Sequence, residues 1–371
     1  EHLFLSGNKE QITEVLRVSI RDMAIIGRGD QIIRWSQYGS DDSAIGEIMN
    51  KAIQIVGYLV NLEFSTAEAL AAELDFMASQ SSDLEFITQI TAMVMSHIYF
   101  ARGDFERATR TIDKALGHDY NIAGIENVDK IALLRLRADI AYLHDDVETI
   151  SAALHDARNL QNDVNASISA FHIGCITSMD LWSQGRFFEA AEFASIAINQ
   201  ANKNNYSGIA APFDALLVIT RCQLELSQLT KSVETANLAS QKAEMAQIWP
   251  WYFMYIGTSS RIHITQGHIH QIADLIVEQR SKLKLLPIPN QLSWIIDMTE
   301  VFLRFVLSDW KRAEELLKRM PKIEMVRQID MNVQFEADPK RVHELVANMP
   351  EKTPREKINK FLYLATINID N

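Results

Sequence analysis

Apolar residues recur at helical spacing along most of the chain, and short polar breaks interrupt this pattern at regular intervals. In residues 92–116, Met95 and Ile98 lie on one predicted helix, Gly103 interrupts the pattern, and Ala108 and Ile112 continue it. Apolar residues at this spacing share one face of an α-helix. Glycine readily adopts the left-handed backbone that ends a helix. The segment therefore predicts two helices joined by a tight turn.

The same pattern of helix, turn and helix repeats along the chain. Turns are predicted at positions 103, 145, 185, 227, 267 and 308, which are 42, 40, 42, 40 and 41 residues apart, and one more falls near residue 62. A repeat period between about 20 and 50 residues is typical of a solenoid, in which each helix pair buries its faces against its neighbours. We therefore predict an all-α fold, a solenoid of helix pairs with a repeat of about 41 residues.

The regularity of the pattern divides the chain into three parts. Residues 1–80 predict an N-terminal helical arm with a degenerate first repeat, and residues 81–320 predict the repeat array. The repeat fades in residues 321–371, where Thr353-Pro354 indicates the start of a helix. This last part is expected to form a helical cap or a connection to a further domain. Because helical pattern begins soon after Glu1 and continues almost to the last residue, we also expect the chain to be a fragment of a larger protein.

Composition narrows the class of protein. The net charge of −12 argues against binding to nucleic acid, because such binding depends on the neutralisation of phosphates. The sequence has no apolar run of the length that a membrane-spanning helix needs, so no membrane association is expected. Cys175 and Cys222 lie within predicted helices and are expected to be buried thiols. Together with the absence of a signal peptide, they favour a cytoplasmic protein.

The residues around the first turn resemble a tetratricopeptide repeat, through Tyr99, Gly103, Phe105, Ala108 and Ala115. That repeat has about 34 residues, so the helices or linkers of this chain are longer. Long repeats of this kind resemble the sensor region of the large ATP-dependent LuxR-type transcriptional regulators, the maltose-regulon activator family. The segments LSGNKEQ and GRGDQIIRW match the helical arm of that family. The resemblance covers about residues 1–320 and departs at positions 145, 227 and 308, which lack the turn glycine.

This resemblance implies a right-handed α-solenoid of tetratricopeptide-like helix pairs that forms the signal-sensing module of a bacterial regulator. Such a module binds an inducer or a regulatory protein and controls the self-association of a larger protein, whose ATPase and DNA-binding domains would lie outside this chain. The alternative is a free-standing tetratricopeptide scaffold or a peptide-binding regulator. An arginine cluster that clamps a terminal carboxylate would favour this alternative, and Arg135, Arg221 and Arg261 leave it open.

Candidate site residues follow from the resemblance, because the first helix of each pair lines the concave face of tetratricopeptide arrays. The candidate ligand-binding residues are Arg135, Asp139, Tyr142, His172, Trp182, Asp214, Arg221 and Arg261. Charged groups form hydrogen bonds and rings stack, so this set favours a small polar inducer or a peptide. The competing interpretation is that the charges pair with each other across adjacent helices and that the rings belong to the core.

The sequence contains no recognised catalytic pattern: it has no Walker loop, no Gly-x-Ser-x-Gly and no Cys-x-x-Cys. His263, His268 and His270 surround one turn, but residues two apart on a helix do not share a face and zinc needs a fourth ligand. We therefore predict a non-catalytic protein without metal or cofactor. An all-α enzyme stays open, because residues distant in sequence can converge in space.

Overall fold

A computed structural model of the chain describes residues 9–39, 44–78, 85–117, 127–161, 166–207, 210–286 and 292–321, with a few positions beyond. Within these residues it contains seventeen α-helices and no β-strand. The helices are α1 (Lys9–Ile25), α2 (Gly29–Gly39), α3 (Ala44–Val60), α4 (Phe64–Ala78), α5 (Glu85–Arg102), α6 (Phe105–Leu116), α7 (Asn127–Leu143), α8 (Val147–Leu160), α9 (Ala166–Ser183), α10 (Phe187–Lys203), α11 (Phe213–Glu225), α12 (Leu229–Met245), α13 (Trp249–Thr265), α14 (Ile269–Leu283), α15 (Ser293–Val306), α16 (Trp310–Leu317) and α17 (Val342–Ala347).

Consecutive helices from α3 to α16 form seven pairs, in which the odd-numbered helix comes first. The residues with a left-handed backbone inside these pairs are Leu62, Gly103, Asp145, Gly185, Ser227, Gly267 and Ser308, with φ between 58° and 81°. These are the six predicted turn positions and the additional turn near residue 62. The prediction of an α-solenoid of tetratricopeptide-like helix pairs is therefore confirmed.

Each of these turns ends one helix and starts the next with the same hydrogen bonds. At the first predicted turn, the N–H of Gly103 donates to Phe100 and that of Asp104 donates to Tyr99, both at 2.8 Å. The Asp104 side chain then accepts from the N–H of Arg107 and caps α6. A left-handed backbone costs a residue other than glycine about 1–2 kcal/mol, so packing of the helix pair must impose it at the four turns that lack glycine, which are those at Leu62, Asp145, Ser227 and Ser308.

Small or branched residues mark where the two helices of a pair meet. The aligned second-helix positions are Ala108, Ile150, Ala190, Ser232, Ile272 and Ala313, and each is 0% exposed. Their spacing of 40–42 residues equals that of the turns. Close helix contact at these positions builds the continuous core of the array.

The first helices α5, α7, α9, α11 and α13 each contact the next one, and α13 also contacts α5. We call these five helices the inner ring. The ring is closed by Phe100 and Trp251, whose centroids are 5.6 Å apart. Next to this contact, Leu292 packs so closely on Gly103 that a Cβ atom there would lie 2.6 Å from it. The array therefore closes on itself, which the sequence did not predict.

The N-terminal helices pack on the outside of this array. Arg21 of α1 donates to both carboxylate oxygens of Asp129 at 3.0 and 2.6 Å, and the N–H of Ser207 donates to the carbonyl of Ile25. The helix start predicted at Thr353-Pro354 lies outside the described residues, and the boundaries at residues 80 and 320 stay predictions. None of the described helices combines the length and the apolar character that crossing a bilayer requires.

Candidate functional site

A buried ion pair lies at the centre of the inner ring. Arg135 of α7 donates to both carboxylate oxygens of Asp214 on α11, at 2.8 and 2.6 Å, and to the carbonyl of Ala211 at 3.0 Å. The guanidinium also lies 4.7 Å from the centroid of the Phe171 ring, within range of a cation–π interaction. Burial lowers the pKa of Arg135, but the charges of Asp214, Cys175 and Asp139 together with the hydrogen bonds to Asp214 outweigh it, so the pKa is raised above its ordinary value. Arg135 is therefore charged at every pH at which the protein is folded.

Asp139 lies next to this pair, one helical turn after Arg135. When one of the two carboxyl groups is protonated, Asp139 and Asp214 share a hydrogen bond. Burial, followed by the charge of Asp214, raises the pKa of Asp139 well above its ordinary value, and Arg135 offsets only part of this effect. Oδ1 of Asp139 is buried and has no hydrogen-bond partner among the described residues. A buried acceptor without a hydrogen bond destabilises a protein by about 1–3 kcal/mol. A ligand that donated a hydrogen bond to this oxygen would therefore stabilise the protein.

A cavity of about 40 Å³ opens beside Asp139. Its lining comes from all five helices of the inner ring and includes His97, Phe100, Asp139, His172, Phe213 and Trp251. Burial lowers the pKa of His97 and, with the charge of Arg135, lowers that of His172 further. Both imidazoles are therefore neutral near pH 7. Nδ1 of His97 lies 2.9 Å from the carbonyl oxygen of Met93, so the neutral ring donates there and keeps Nε2 as an acceptor.

Arg221 forms a second cluster on α11, two helical turns after Asp214. Its guanidinium lies 4.7 Å from the centroid of the Tyr142 ring and 5.0 Å from that of Trp182, and the residue is 8% exposed. The two rings stand edge to face, with centroids 5.3 Å apart. In the part of the chain that the structure describes, no carboxylate pairs with Arg221. Ring faces attract the charge but leave the five N–H donors of the guanidinium available to an acceptor.

The structure brings most of the predicted site residues together. Seven of the eight are buried on α7, α9 and α11 of the inner ring: Arg135, Asp139, Tyr142, His172, Trp182, Asp214 and Arg221. The eighth, Arg261 of α13, is half-buried and lies with its guanidinium 4.8 Å from the Phe302 ring on α15. The ion pair of Arg135 and Asp214 also fits the competing interpretation, in which the charges pair with each other between helices. Their helices are not consecutive first helices, because α9 lies between them in chain order. The ligand-binding role of the eight residues stays a prediction.

Two residues of the inner ring were missed as site candidates. Tyr255 of α13 is 0% exposed and donates its hydroxyl to the carbonyl of Phe213. Cys175 of α9 is also 0% exposed and interacts electrostatically with Arg135. Burial raises the pKa of both groups well above their ordinary values. The repeat spacing could have placed them, because Tyr255 follows Asp214 by 41 residues and Cys175 follows Arg135 by 40.

The histidines at the Gly267 turn lie away from this centre. Nδ1 of His263 and Nδ1 of His268 are 3.4 Å apart at an exposed position. Among the described residues, no three His, Cys, Asp or Glu side chains are arranged to hold a metal ion. The chemistry that the inner ring offers is ion pairing, hydrogen bonding and contact with aromatic faces.

Comparisons with known proteins concern the fold. No protein-family model matches the sequence, and no curated protein matches it. A solved structure of a Rap protein complexed with competence and sporulation factor is similar over 96% of each chain, with a TM-score of 0.58 and 10% identity. The structure of the apo form of RapI aligns over 96% of this chain and 98% of RapI, with a TM-score of 0.41 and 10% identity. The structure of aspartyl phosphate phosphatase F from Bacillus subtilis aligns over 98% of this chain and 94% of that protein, with a TM-score of 0.42 and 11% identity.

The first of these similarities supports a fold of tetratricopeptide-like repeats over nearly the whole described chain. A similarity of fold does not test the sequence resemblance to the LuxR-type regulators. The sequence resemblance to that family therefore stays a prediction.

Proposed function

We propose that the chain is a non-catalytic regulatory module that binds a short peptide on the inner ring. The observation on which the proposal rests is Arg221, which is 8% exposed and stacked on Tyr142 and Trp182 without a carboxylate partner among the described residues. Removing a guanidinium from water is costly unless its donors are satisfied. A peptide carboxylate or carbonyl can satisfy them.

The two rings prepare Arg221 for this role. They hold the planar guanidinium at 4.7 and 5.0 Å, so less side-chain freedom remains to be lost when a ligand binds. A carboxylate can accept two parallel hydrogen bonds from a guanidinium, which makes such pairs both strong and specific. The cavity beside Asp139 holds only about 40 Å³, so it accommodates one group of a ligand whose remainder extends along the ring.

The comparison with solved structures supports a regulatory rather than a metabolic ligand. The Rap protein with a TM-score of 0.58 is complexed with competence and sporulation factor. We transfer from it only the proposal that this chain also binds a regulatory molecule. A narrower form of the proposal, the sensor region of a LuxR-type regulator that controls self-association, rests on the sequence resemblance alone. An ATPase and a helix-turn-helix domain in the same gene product would support that form, and their absence would contradict it.

The test is affinity selection from a pool of short randomised peptides with free termini, with bound peptides identified by mass spectrometry. We expect the wild type to retain a defined subset and Arg221→Ala to lose at least about tenfold in affinity for it, because a charge-assisted hydrogen bond is removed. Arg186→Ala is the matched control, since Arg186 is exposed and pairs with Glu189 of its own helix. Amidation of the peptide C-terminus shows whether the terminal or a side-chain carboxylate binds.

Two results would contradict the proposal. One is a wild type that retains no peptide above the level of beads without protein. The other is an Arg221→Ala variant that keeps full peptide affinity but loses more than about 2 kcal/mol of unfolding free energy, as the loss of a structural charge would produce.

A further inference from the structure

The cavity beside Asp139 has a size and a polar lining that suit one group of a ligand. Its volume of about 40 Å³ is enough for about three water-sized groups, which is the size of a side-chain terminus. Asp139 lines it, is 5% exposed and has a buried oxygen, Oδ1, without a hydrogen-bond partner among the described residues.

Three other lining residues favour the same kind of ligand group, and the charge of Arg135, which also lines the cavity, is paired with Asp214. His97 keeps Nε2 as an acceptor, because its Nδ1–H donates to the carbonyl of Met93. Phe100 and Trp251 add two aromatic rings, whose centroids are 5.6 Å apart and whose planes are inclined by 59°. Acceptors combined with ring faces are the surroundings in which proteins bind organic cations. A neutral apolar group would leave the Asp139 oxygen unsatisfied.

We propose that the cavity beside Asp139 is a binding subsite for a cationic group, an ammonium or a guanidinium. The inference rests on the proposed function, because the bound peptide would supply this group from its N-terminus or from a basic side chain. Arg221 and Asp139 then receive opposite charges of one ligand. The ligand class is a peptide with an anionic and a cationic group, rather than a neutral one.

The charges around Asp139 explain why a cation is accepted. Arg135 neutralises Asp214, and burial beside Asp214 favours the protonated form of Asp139. When the ligand cation enters, the O–H bond of Asp139 breaks, the proton passes to water, and the carboxylate pairs with the cation. The other titratable groups around this position are His97 of α5, Arg135 of α7, His172 and Cys175 of α9, Asp214 of α11 and Tyr255 of α13, and Arg221 of α11 acts on Tyr255. Binding of a cation therefore releases a proton, and affinity rises with pH.

The subsite is tested with single-group probes and ligand-observed NMR titrations. Nα-acetyl-arginine amide supplies a guanidinium, and Nα-acetyl-citrulline amide is its neutral isostere. Alanine amide supplies an N-terminal ammonium, and Nα-acetyl-alanine amide is its neutral counterpart. We expect one or both cationic probes to bind at least about tenfold more tightly than the matching neutral probe, because a charge-assisted hydrogen bond distinguishes them. The cationic probe that binds better identifies the source of the group.

Asp139→Asn is the decisive variant, because its amide imitates the protonated carboxyl group but cannot become an anion. We expect it to lose the preference for the cationic probe and the rise of affinity with pH. Asp180→Asn is the control: Asp180 is a buried acid of α9 that accepts from Ser151 and Gln184. It should retain both properties.

Equal affinity of the wild type for cationic and neutral probes would overturn the inference, and so would an unchanged preference in Asp139→Asn. The first comparison uses only the wild type, so it holds even if the variant folds poorly. If randomised peptides bind but cation preference is absent, the inference fails while the proposed function stands. If the cationic probes bind through Asp139 and no peptide binds, the proposed function fails and the subsite stands.

Discussion

The guanidinium of Arg135 on α7 holds both carboxylate oxygens of Asp214 on α11, at 2.8 and 2.6 Å. The two residues are 79 positions apart in the sequence, and 6% and 0% exposed. Helix α9 lies between their helices in chain order, so the pair reaches past a whole repeat. This contact therefore joins the first helices of two repeats that are not consecutive.

Removal of one partner of this ion pair is expected to be more harmful than removal of both. Arg135→Met should lower the unfolding free energy by about 3–5 kcal/mol, because the carboxylate of Asp214 stays buried without its cation. The double variant Arg135→Met/Asp214→Leu should recover a large part of this loss. Urea unfolding measures both. A double variant as unstable as the sum of the two single variants would show that the pair is not coupled.

The pH dependence of stability should reveal opposite contributions from neighbouring groups. His97 and His172 have lowered pKa values, so acidification below the ordinary histidine pKa protonates the unfolded chain first and stability falls. Asp139 has a raised pKa, so its contribution runs the other way: stability rises as pH falls toward the ordinary aspartate pKa.

Asp139→Asn removes only the second contribution. Between pH 7 and 5, its unfolding free energy should therefore fall more steeply than that of the wild type, by at most about 1.4 kcal/mol per pH unit. Urea unfolding at several pH values measures the two slopes. Parallel curves would show that Asp139 does not hold its proton in the folded protein.

Alanine substitutions at two glycines distinguish the strain of a left-handed turn from the contact that Leu292 makes next to the ring closure. Gly103 and Gly185 have φ of +81° and +79°, but a Cβ atom at Gly185 meets nothing within 4 Å, whereas at Gly103 it would lie 2.6 Å from Leu292. Gly185→Ala should cost about 1 kcal/mol, the strain of a left-handed alanine. Gly103→Ala should cost about 1–3 kcal/mol more, because Leu292 must move. Equal melting temperatures for the two variants would mean that the Leu292 contact does not stabilise the protein.

Overpacking tests the alignment of the repeats. Ala190 is 0% exposed on the second helix of its pair. Ala190→Trp should destabilise the fold by at least about 1–3 kcal/mol, because the two helices cannot separate without loss of other contacts. Glu192→Trp, at an exposed position two residues later, is the control and should change stability little. An unchanged melting temperature for Ala190→Trp would contradict the assigned packing.

The sequence by itself determined the repeats, because they are local. A helix end needs only a few residues that tolerate a left-handed backbone, and a helix face needs only apolar side chains at the right spacing. The turns could be located even where Asp145 and Ser227 stand at the position that glycine holds in other repeats, because the spacing of 40–42 residues identified them. The resemblance to tetratricopeptide repeats, rather than a local pattern, implied which first-helix residues line the concave face.

Only the tertiary structure decided which inward residues meet. Sequence spacing places Arg135 and Asp139 on one face of one helix. In the structure, Arg135 instead pairs with Asp214, and Oδ1 of Asp139 has no hydrogen-bond partner within the described parts of the chain. The closure of the ring through Phe100 and Trp251 was equally invisible. Small rotations between successive repeats add up along a solenoid, so contacts between distant repeats depend on every helix crossing angle between them. No local sequence pattern encodes the accumulated rotation between distant repeats. That rotation brings together the residues of the ion pair and of the cavity.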